Sequence, residues 1–319
     1  MGGRRMALAV VGCLCACSST SSSTLTTGDG GIVRSYGGIN YVLHVPAGYH
    51  QGTATPLVLM LHGCTQSAPD FEAGTQMDKQ GDAGGFLVAY PDQPTSANAA
   101  KCWNWFVPGD QARGSGEPSV LAGIVGDVAK DYTVDPKRVF AAGISAGAAM
   151  TVILGATYPD VFAAIGVHSG LEYQAATDTN SALSASAYGG PDPKAQGDAA
   201  FAAMGSAAHA VPVMVFHGDA DNVVNVVNGQ QVIAQWTETD TRAGSTAGPG
   251  TSEMGSAGGK TYTHTSYSGG QAGKTLLESY IVHGLEHAWS GGSTSGTYTD
   301  PNAPDASAIL WSFFAAHGR

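Results

Sequence analysis

The sequence predicts an α/β fold, with a mostly parallel, doubly wound sheet that carries helices on both faces. Short apolar runs of strand length alternate with segments of helical periodicity from residue 56 to residue 317, and such alternation is typical of parallel sheets. A serine flanked by glycines also lies between an apolar run and a helix start. A strand that passes sharply into a helix needs this arrangement of residues.

The fold is predicted to begin with a hairpin at one edge of the sheet. Residues 31–45 alternate apolar and polar side chains about Gly37-Gly38, as two antiparallel strands joined by a tight turn do. Pro91 is expected to end a strand, and Asp135-Pro136 is expected to turn the chain. In this half we predict strands at 56–61, 85–90 and 138–142 and helices at 67–81, 117–132 and 146–158.

The second half continues the alternation after an irregular stretch. Residues 171–197, which contain a Gly-Gly-Pro-Asp-Pro run, are expected to form a loop or a small lid over the functional site. Residues 242–259 are glycine-rich and are expected to be a second loop. The remaining elements are predicted strands at 162–167, 211–216, 261–266 and 274–282 and helices at 201–208, 226–239 and 305–317. Residues 30–319 therefore form one predicted domain.

The composition fits a large globular domain with a neutral partner. The 319-residue chain is 43% hydrophobic and only 12% charged, with a net charge of -11. Single α/β sheets of this class run to about 250 residues or more, so the length does not require a second domain. The few basic residues form no stripe, which argues against nucleic acid or an anionic membrane surface as a partner.

Residues 1–17 are predicted to be a signal peptide. Arg4-Arg5 gives a positively charged start, and residues 6–16 form an apolar stretch that is too short to span a bilayer. A segment of this kind directs export of the protein. We therefore expect a bacterial protein that is secreted, periplasmic or attached to the cell envelope.

The end of this leader suggests a lipid anchor. The run from Leu14 to Cys17 resembles a bacterial lipoprotein cleavage box, which makes Cys17 the predicted lipidation site, with Val10 to Cys13 as a second possible register. An ordinary secretory signal is the alternative reading, and it would discard these cysteines. Residues 18–29, rich in serine and threonine, are predicted to be a tether. A lipid anchor is the only membrane contact that we expect.

The strongest chemical signal is the run from Gly143 to Gly147, with Ser145 at its centre. It follows the apolar residues 138–142 directly and precedes a good helix start. The two glycines let backbone pass close on both sides of a strained turn that exposes the serine hydroxyl. In a chain with 45 glycines, an incidental glycine-rich turn is the competing interpretation.

A serine nucleophile needs an imidazole to take its proton and a carboxylate to orient that imidazole. In doubly wound sheets of this kind they follow the serine, carboxylate first and histidine last, on loops after strands. One predicted strand runs into His217-Gly218-Asp219-Ala220-Asp221, and a later one is followed by residues 284–289, which contain His287. Asp221 lies further past its strand than Asp219 and is preferred. His283 and His287 would not share a helix face, so we expect no metal site.

Taken together, these motifs resemble the polyhydroxybutyrate depolymerase family of esterases, which is related to the feruloyl and acetyl-xylan esterases of carbohydrate esterase family one. The resemblance covers residues 30–319 and implies an α/β-hydrolase fold without a cofactor. It rests on Leu61 to Gln66, Cys102 to Phe106, Gly143 to Gly147, His217 to Asp221, and His287 to Trp289.

The resemblance implies a role for each matching residue. Ser145 is the nucleophile, His287 the base and Asp221 the acid that orients it. The resemblance also implies that the backbone N–H groups of Ala146 and Cys64 bind the oxyanion. The function expected on this basis is hydrolysis of short-chain hydroxyalkanoate polyesters or their oligomers. Feruloyl or acetyl-xylan esterase activity is the alternative, and a non-catalytic surface-binding lipoprotein is a more remote one.

The neighbours of these residues complete the predicted site. Export leaves Cys64 and Cys102 in an oxidising setting, where a disulfide is the expected outcome and two free thiols the alternative. Trp289 is expected on the cleft wall as a substrate-binding residue, with a core position as the alternative. His62 is grouped with the substrate-binding residues. It is expected to shape the turn at residues 62–65, which carries the N–H of Cys64 and which we call the oxyanion turn, without transferring a proton.

Overall fold

The structure is a computed structural model that describes residues 1–2, 30–269 and 274–319. The predicted leader from residue 3 onward, with Cys17, and the predicted tether lie outside the described residues. None of the helices within the described residues is long and apolar enough to cross a membrane.

A ten-stranded mixed sheet forms the centre of the fold, with the strand order β1-β2-β4-β3-β5-β6-β7-β10-β9-β8. The pairings from β4 through β10 are parallel, whereas both edges are antiparallel. The predicted edge hairpin is confirmed as β1 and β2. The strands are β1 (Ile32–Tyr36), β2 (Ile39–His44), β3 (Thr55–Leu61), β4 (Leu87–Asp92), β5 (Val134–Ile144), β6 (Ala164–His168), β7 (Val213–Gly218), β8 (Thr251–Ala257), β9 (Lys260–Ser268) and β10 (Thr275–Val282), with β11 (Trp289–Ser290) and β12 (Thr299–Asp300) paired separately.

Helices cover both faces of this sheet, as predicted. The first apolar cluster contains residues of α3 to α7, and the second contains residues of α1, α2 and α8. The doubly wound α/β architecture is therefore confirmed. The helices are α1 (Ala68–Thr75), α2 (Met77–Gly84), α3 (Gly116–Val128), α4 (Ala146–Thr157), α5 (Thr179–Tyr188), α6 (Pro193–Met204), α7 (Val227–Arg242) and α8 (Ala306–Ala316).

Strand β3 shows why the central strands are apolar throughout. Leu57 and Leu59 belong to the first cluster, whereas Val58 and Met60 belong to the second, and all are fully buried. Successive side chains of a strand point to opposite faces, so a strand covered by helices on both faces has no polar side to present. The carboxyl ends of these strands therefore meet along one edge, where the loops can place side chains close together.

Two proline predictions were wrong for a shared reason. Pro91 lies within β4, opposite Tyr41, and β3 pairs with β4 only through Leu87 to Ala89. The missing N–H of Pro91 thus falls where the strand has a neighbour on one side only. Asp135-Pro136 lies within β5, in the segment of that strand before its buried part. A proline near a strand end does not stop the strand.

The helix predicted at 67–81 is two helices. Gln76 adopts a left-handed conformation with φ 52° and joins α1 to α2, and the Ser67 side chain accepts from the backbone N–H of Asp70 at the start of α1. The periodicity continued across this break because the two helices pack on the same face of the sheet.

The expectation of a loop at 171–197 is wrong, because most of this stretch is helical. Asp178 and Ser181 form a reciprocal cap that starts α5, and Asp192 caps α6 with Pro193 at its first position. The glycine and proline residues separate two helices instead of building a loop. The glycine-rich stretch 242–259 likewise contains β8, which pairs with β9 at the sheet edge.

Glu172 carries a buried carboxyl group beneath Gly190. Its side chain is 2% exposed, and neither oxygen has a hydrogen-bond partner among the described residues. Burial, with a smaller contribution from Asp192, raises the pKa of Glu172 to about 8 from 4.5. Because the folded-state pKa is the higher one, ionisation opposes folding. The cost is absent well below pH 4.5 and complete above pH 8.

Glu172→Gln is therefore expected to stabilise the protein increasingly as the pH rises from 4.5 to 8. At pH 9 the melting temperature should rise by about 5 °C or more, whereas at pH 4 it should hardly change. Thermal melts across this range, with the exposed Glu286→Gln as control, measure the difference. An equal shift at both pH values would show that ionisation of Glu172 is not the cause.

Candidate active site

Ser145 lies in a strained turn between β5 and α4. Its backbone has φ 58° and ψ -123°, and its N–H donates to the carbonyl of His168 at 3.0 Å. A Cβ atom on Gly143 would lie 2.6 Å from the carbonyl oxygen of Leu61, and one on Gly147 would overlap that same oxygen. Both positions thus require glycine because the end of β3 passes against the turn. This is the close backbone approach that the run from Gly143 to Gly147 predicts.

Asp221 and His287 form a hydrogen-bonded pair on neighbouring loops. The Nδ1–H of His287 donates to Asp221 Oδ2 at 2.7 Å, and Asp221 Oδ1 accepts from the backbone N–H groups of Val223 and Val224 at 2.9 and 2.8 Å. Burial raises the pKa of the Asp221 carboxyl, but these bonds outweigh burial and leave that pKa below its ordinary value. The carboxylate is fully buried and ionised, as an orienting acid must be.

Asp219 takes a different partner. Its Oδ2 lies 2.8 Å from Nδ1 of His283, not near His287. The two carboxylates that the sequence left in competition therefore belong to two separate histidines. Only the pair formed by Asp221 and His287 reaches the pocket that contains Ser145.

That pocket has a volume of about 140 Å³ and lies at the carboxyl end of the central strands. It brings the Ser145 turn, the His287 ring and the predicted oxyanion turn together. Among the described residues, the Ser145 hydroxyl makes no hydrogen bond, and such bonds often form only when substrate is present. The lining residues are Gly63, Cys64, Thr65, Gln66, Ile144, Ser145, Val223, His287 and Tyr298.

The N–H groups of the two predicted oxyanion donors lie at a helix start and in a turn. The backbone N–H of Ala146 lies at the first position of α4, where helical N–H groups have no partner within the helix. The N–H of Cys64 also donates to no described backbone or side-chain acceptor. The turn is fixed on both sides of Cys64, because Gly63 donates to Gln66 Oε1 at 2.9 Å and Thr65 donates to the carbonyl of Ala100 at 2.7 Å.

The assignment of His62 to substrate binding is wrong. Its side chain is fully buried, and burial lowers its pKa to about 4, so the ring is neutral. Nδ1 donates to the carbonyl of Gly63 at 2.7 Å, and Nε2 accepts from the N–H of Gln93 at 3.1 Å. His62 therefore holds the oxyanion turn from behind, and substrate cannot reach it.

Trp289 does not line the cleft either, so the alternative of a core tryptophan is the correct one. It is 1% exposed, its Nε1 donates to Ser307 at 3.1 Å, and its ring stacks on His168 with the edge of Phe71 against it. After His287 the chain forms β11, and the Trp289 side chain packs in the second apolar cluster. A position near the base in sequence did not mean a position on the cleft wall.

The predicted disulfide between Cys64 and Cys102 is confirmed. The segment that carries Cys102 is itself held by Glu117, which accepts from the backbone and side-chain nitrogens of Asn104, each at 2.7 Å. Gln93 adds a bond from its Nε2 to the carbonyl of Cys102 at 2.9 Å. The bridge thus ties the oxyanion turn to a segment anchored on α3.

Reduction of this disulfide is expected to lower stability and rate together. Closing a loop between cysteines 38 positions apart contributes about 4 kcal/mol by the chain-entropy model. The turn at Cys64 would also lose one of its anchors, and a misplaced oxyanion donor costs catalytic rate. Melting curves and initial rates with and without reductant test this. In the Cys64→Ser/Cys102→Ser variant, reductant should change neither the melting temperature nor the rate. An unchanged rate in reduced enzyme would contradict the proposed role.

Sequence reasoning missed Val223 and Tyr298, the exposed apolar side chains at the pocket mouth. Val223 is 56% exposed and Tyr298 46%. Tyr298 has φ 51°, its ring meets the His287 ring edge to face, and its hydroxyl lies 3.3 Å from Thr65 Oγ1. Val223 could have been suspected from its place beside Asp221. Nothing in the sequence brings residue 298 back to the oxyanion turn.

Outside the pocket, His44, Glu72 and Asp78 place metal-ligand atoms within 4.8 Å of one another. None of them lines the Ser145 pocket. The histidine pair considered from the sequence is not such a group, because His283 and His287 bind different aspartates.

A larger cavity of about 640 Å³ lies at the opposite, amino-terminal ends of the strands. It contains His317 and Ser245, but both ring nitrogens of His317 bond backbone carbonyls and the Ser245 hydroxyl bonds that of Gly269. The polar groups of both side chains are thus already hydrogen-bonded to backbone carbonyls within the fold. The smaller pocket is therefore the candidate active site, since it combines a strained serine at its wall with an oriented histidine.

The fold is that of the α/β-hydrolases. The solved acetyl xylan esterase from Aspergillus awamori superimposes with a TM-score of 0.64 at 22% identity, over 78% of this chain and 89% of that chain. Esterase 2 of Thermogutta terrifontis, phosphonylated by sarin, gives a TM-score of 0.52 at 15% identity, over 88% of this chain and 90% of that one.

Sequence similarity identifies the family within this fold. The model of the esterase PHB depolymerase family matches residues 39–254. Poly(3-hydroxyalkanoate) depolymerase C of Paucimonas lemoignei is 35% identical over 267 residues, which are 83% of this chain and 60% of that protein. Feruloyl esterase B of Thermothelomyces thermophilus is 31% identical over 193 residues, which are 58% of this chain and 65% of that protein. The chain therefore belongs to the esterase PHB depolymerase family, and it spans less than two thirds of the length of either relative.

Proposed function

We propose that this chain is an exported serine esterase that hydrolyses short-chain hydroxyalkanoate esters through an acyl-enzyme. Ser145 attacks the ester carbonyl while His287 accepts its proton and then donates it to the leaving alcohol. Asp221 holds the imidazole in the tautomer that leaves Nε2 free to act as the base. The N–H groups of Cys64 and Ala146 bind the oxyanion.

The observation that carries this proposal is the convergence of these groups at one pocket. Ser145, His287 and the turn at Cys64 line the same small cavity, and Asp221 is bonded to the far side of the His287 ring at 2.7 Å. A strained serine, an oriented base and unpaired N–H groups are the parts that acyl transfer requires.

The size and character of the pocket support a short acyl group. The cavity beside Ser145 has a volume of about 140 Å³, which suits an acetyl or hydroxybutyryl unit. The mouth is formed by Val223 and Tyr298, and among the described residues no Lys, Arg, Asp or Glu lines the pocket. A neutral, aliphatic ester fits these walls better than a charged substrate.

Acetyl-xylan esterase activity is the second candidate. An acetyl group also fits the pocket, and the relatives include acetylxylan esterase A of Emericella nidulans, 29% identical over 206 residues. The two candidates differ in the acyl group, hydroxyalkanoyl or acetyl, and in the alcohol that leaves. Family membership supports the polyester, and the pocket size accepts both.

We further propose that the protein acts outside the cytoplasm, anchored through Cys17 or free. The leader at residues 1–17 supports export, and a disulfide beside the oxyanion turn suits an oxidising compartment. Metabolic labelling with a radioactive fatty acid, with Cys17→Ala as control, tests the anchor. Label on the Cys17→Ala protein would contradict lipidation at that residue.

A substrate panel tests the function. We expect turnover of 3-hydroxybutyrate oligomers and p-nitrophenyl butyrate, with little turnover of methyl ferulate. Acetylated xylan as the preferred substrate would select the second candidate. If no ester is turned over and phosphonates do not react, the result would favour the remote alternative of a non-catalytic surface-binding lipoprotein.

A further inference from the structure

The second aspartate–histidine pair lies between the two loops that carry Asp221 and His287. We call residues 218–224, after β7, the acid loop, and residues 283–288, after β10, the base loop. Strands β7 and β10 are parallel neighbours whose pairing ends at Gly218 opposite Val282. The two loops therefore leave the sheet side by side. The acid loop holds Asp221 and the base loop holds His287, and these two side chains act as a pair only when they are aligned with each other.

Asp219 joins the two loops through both of its carboxylate oxygens. Oδ1 accepts from the backbone N–H of Gly284 at 2.7 Å, and Oδ2 accepts from Nδ1 of His283 at 2.8 Å. These bonds outweigh partial burial and hold the pKa of Asp219 below its ordinary value, so the carboxylate is ionised. Backbone bonds from Asp219 to Val282 at 3.2 Å and from Ala220 to Leu285 at 3.1 Å complete the join.

His283 extends the join to the next strand. Its Nε2 lies 3.0 Å from the Thr263 hydroxyl on β9, so the ring is held at both nitrogens. Lys260, at the start of β9, donates to the carbonyl of Gly284 at 2.8 Å. The base loop is thus fixed from the acid loop on one side and from β9 on the other.

We propose that Asp219 and His283 are positioning residues for the proposed triad, which lock the base loop to the acid loop so that His287 stays aligned with Asp221. The inference rests on the proposed function. Neither residue lines the pocket, and their side chains are 40% and 35% exposed. A partly exposed pair of this kind adds little to global stability. A displacement of about 1 Å in a catalytic group, by contrast, can cost up to a hundredfold in rate.

The test compares alanine variants of the pair with a matched pair elsewhere on the sheet. Asp219→Ala and His283→Ala are expected to lower kcat for p-nitrophenyl butyrate by about tenfold, with KM and the melting temperature nearly unchanged. His264 bonds Glu278 at 2.9 Å across β9 and β10 and touches neither loop. His264→Ala should therefore leave kcat unaltered.

His283→Asn supplies the rescue. The asparagine amide can place an N–H close to the position of Nδ1 and keep the bond to Asp219, so kcat should recover most of the loss seen in His283→Ala. A role confined to stability would move the melting temperature and would not produce this recovery in kcat at 25 °C.

The outcomes separate this inference from the proposed function. An active wild type with normal kcat in both alanine variants overturns the positioning role alone, as does an equal loss in His264→Ala. An Asp219→Ala chain that does not fold at 25 °C also overturns it, because the pair would then maintain the fold. An inactive wild type overturns the proposed function, and the positioning role with it.

Discussion

Replacing Ser145 with alanine is expected to lower kcat by about a million-fold, because the variant lacks the hydroxyl that forms the acyl-enzyme. The fold should be unaffected. Alanine keeps a Cβ atom, so the backbone strain at φ 58° is the same in the variant. The serine hydroxyl has no described hydrogen-bond partner whose loss would cost stability. Initial rates with p-nitrophenyl butyrate and thermal melts measure both effects.

Ser169 provides the matched control. It follows β6, the strand next to β5, and also has a left-handed backbone, with φ 50°. It does not line the pocket. Ser169→Ala should retain the wild-type rate to a good approximation. Substantial activity in Ser145→Ala would assign the nucleophile to another residue and remove the basis of the mechanism.

Asp221→Asn is expected to lower kcat by about ten-thousandfold at neutral pH. The asparagine Oδ1 can still accept from Val223 and Val224, so the acid loop keeps its shape. Its Nδ2 would face Nδ1 of His287 and favour the tautomer in which Nε2 carries the proton. That nitrogen could then no longer accept the proton of Ser145.

Asp219→Asn separates the two carboxylates. It keeps an acceptor for Gly284, and the His283 ring can change tautomer, so the loss should stay below about tenfold. Rate measurements on the two asparagine variants under one set of conditions make the comparison. An equal loss in both, or a larger one in Asp219→Asn, would contradict the assignment of Asp221 as the orienting acid.

The parts of this structure that the sequence predicted are those set by local patterning. Residues 143–147 predicted the turn because both glycines are required by the approach of Leu61, a steric condition that any sequence for this turn must meet. The parallel strands were predicted from short apolar runs, typical of strands buried on both faces, that alternate with helical segments. The candidate carboxylate and histidine were found because each follows a predicted strand that comes later in the chain than Ser145.

The parts that were not predicted depend on contacts between distant segments. Tyr298 reaches Thr65 across more than half the chain, and no local pattern marks such a contact. Trp289 was assigned to the cleft from its distance in sequence to His287, whereas its side-chain direction is set by β11. The competition between Asp219 and Asp221 was resolved only by the position of His283, which β10 and β9 determine together.

The most direct test of the central claim is to identify the residue that a p-nitrophenyl alkylphosphonate modifies, by mass spectrometry of peptides from the inactivated enzyme. We expect one adduct per chain, on Ser145, that forms in step with the loss of activity. We also expect His287→Ala to slow this reaction greatly, since the base is missing. Enzyme that loses activity with Ser145 unmodified would show that Ser145 is not the nucleophile.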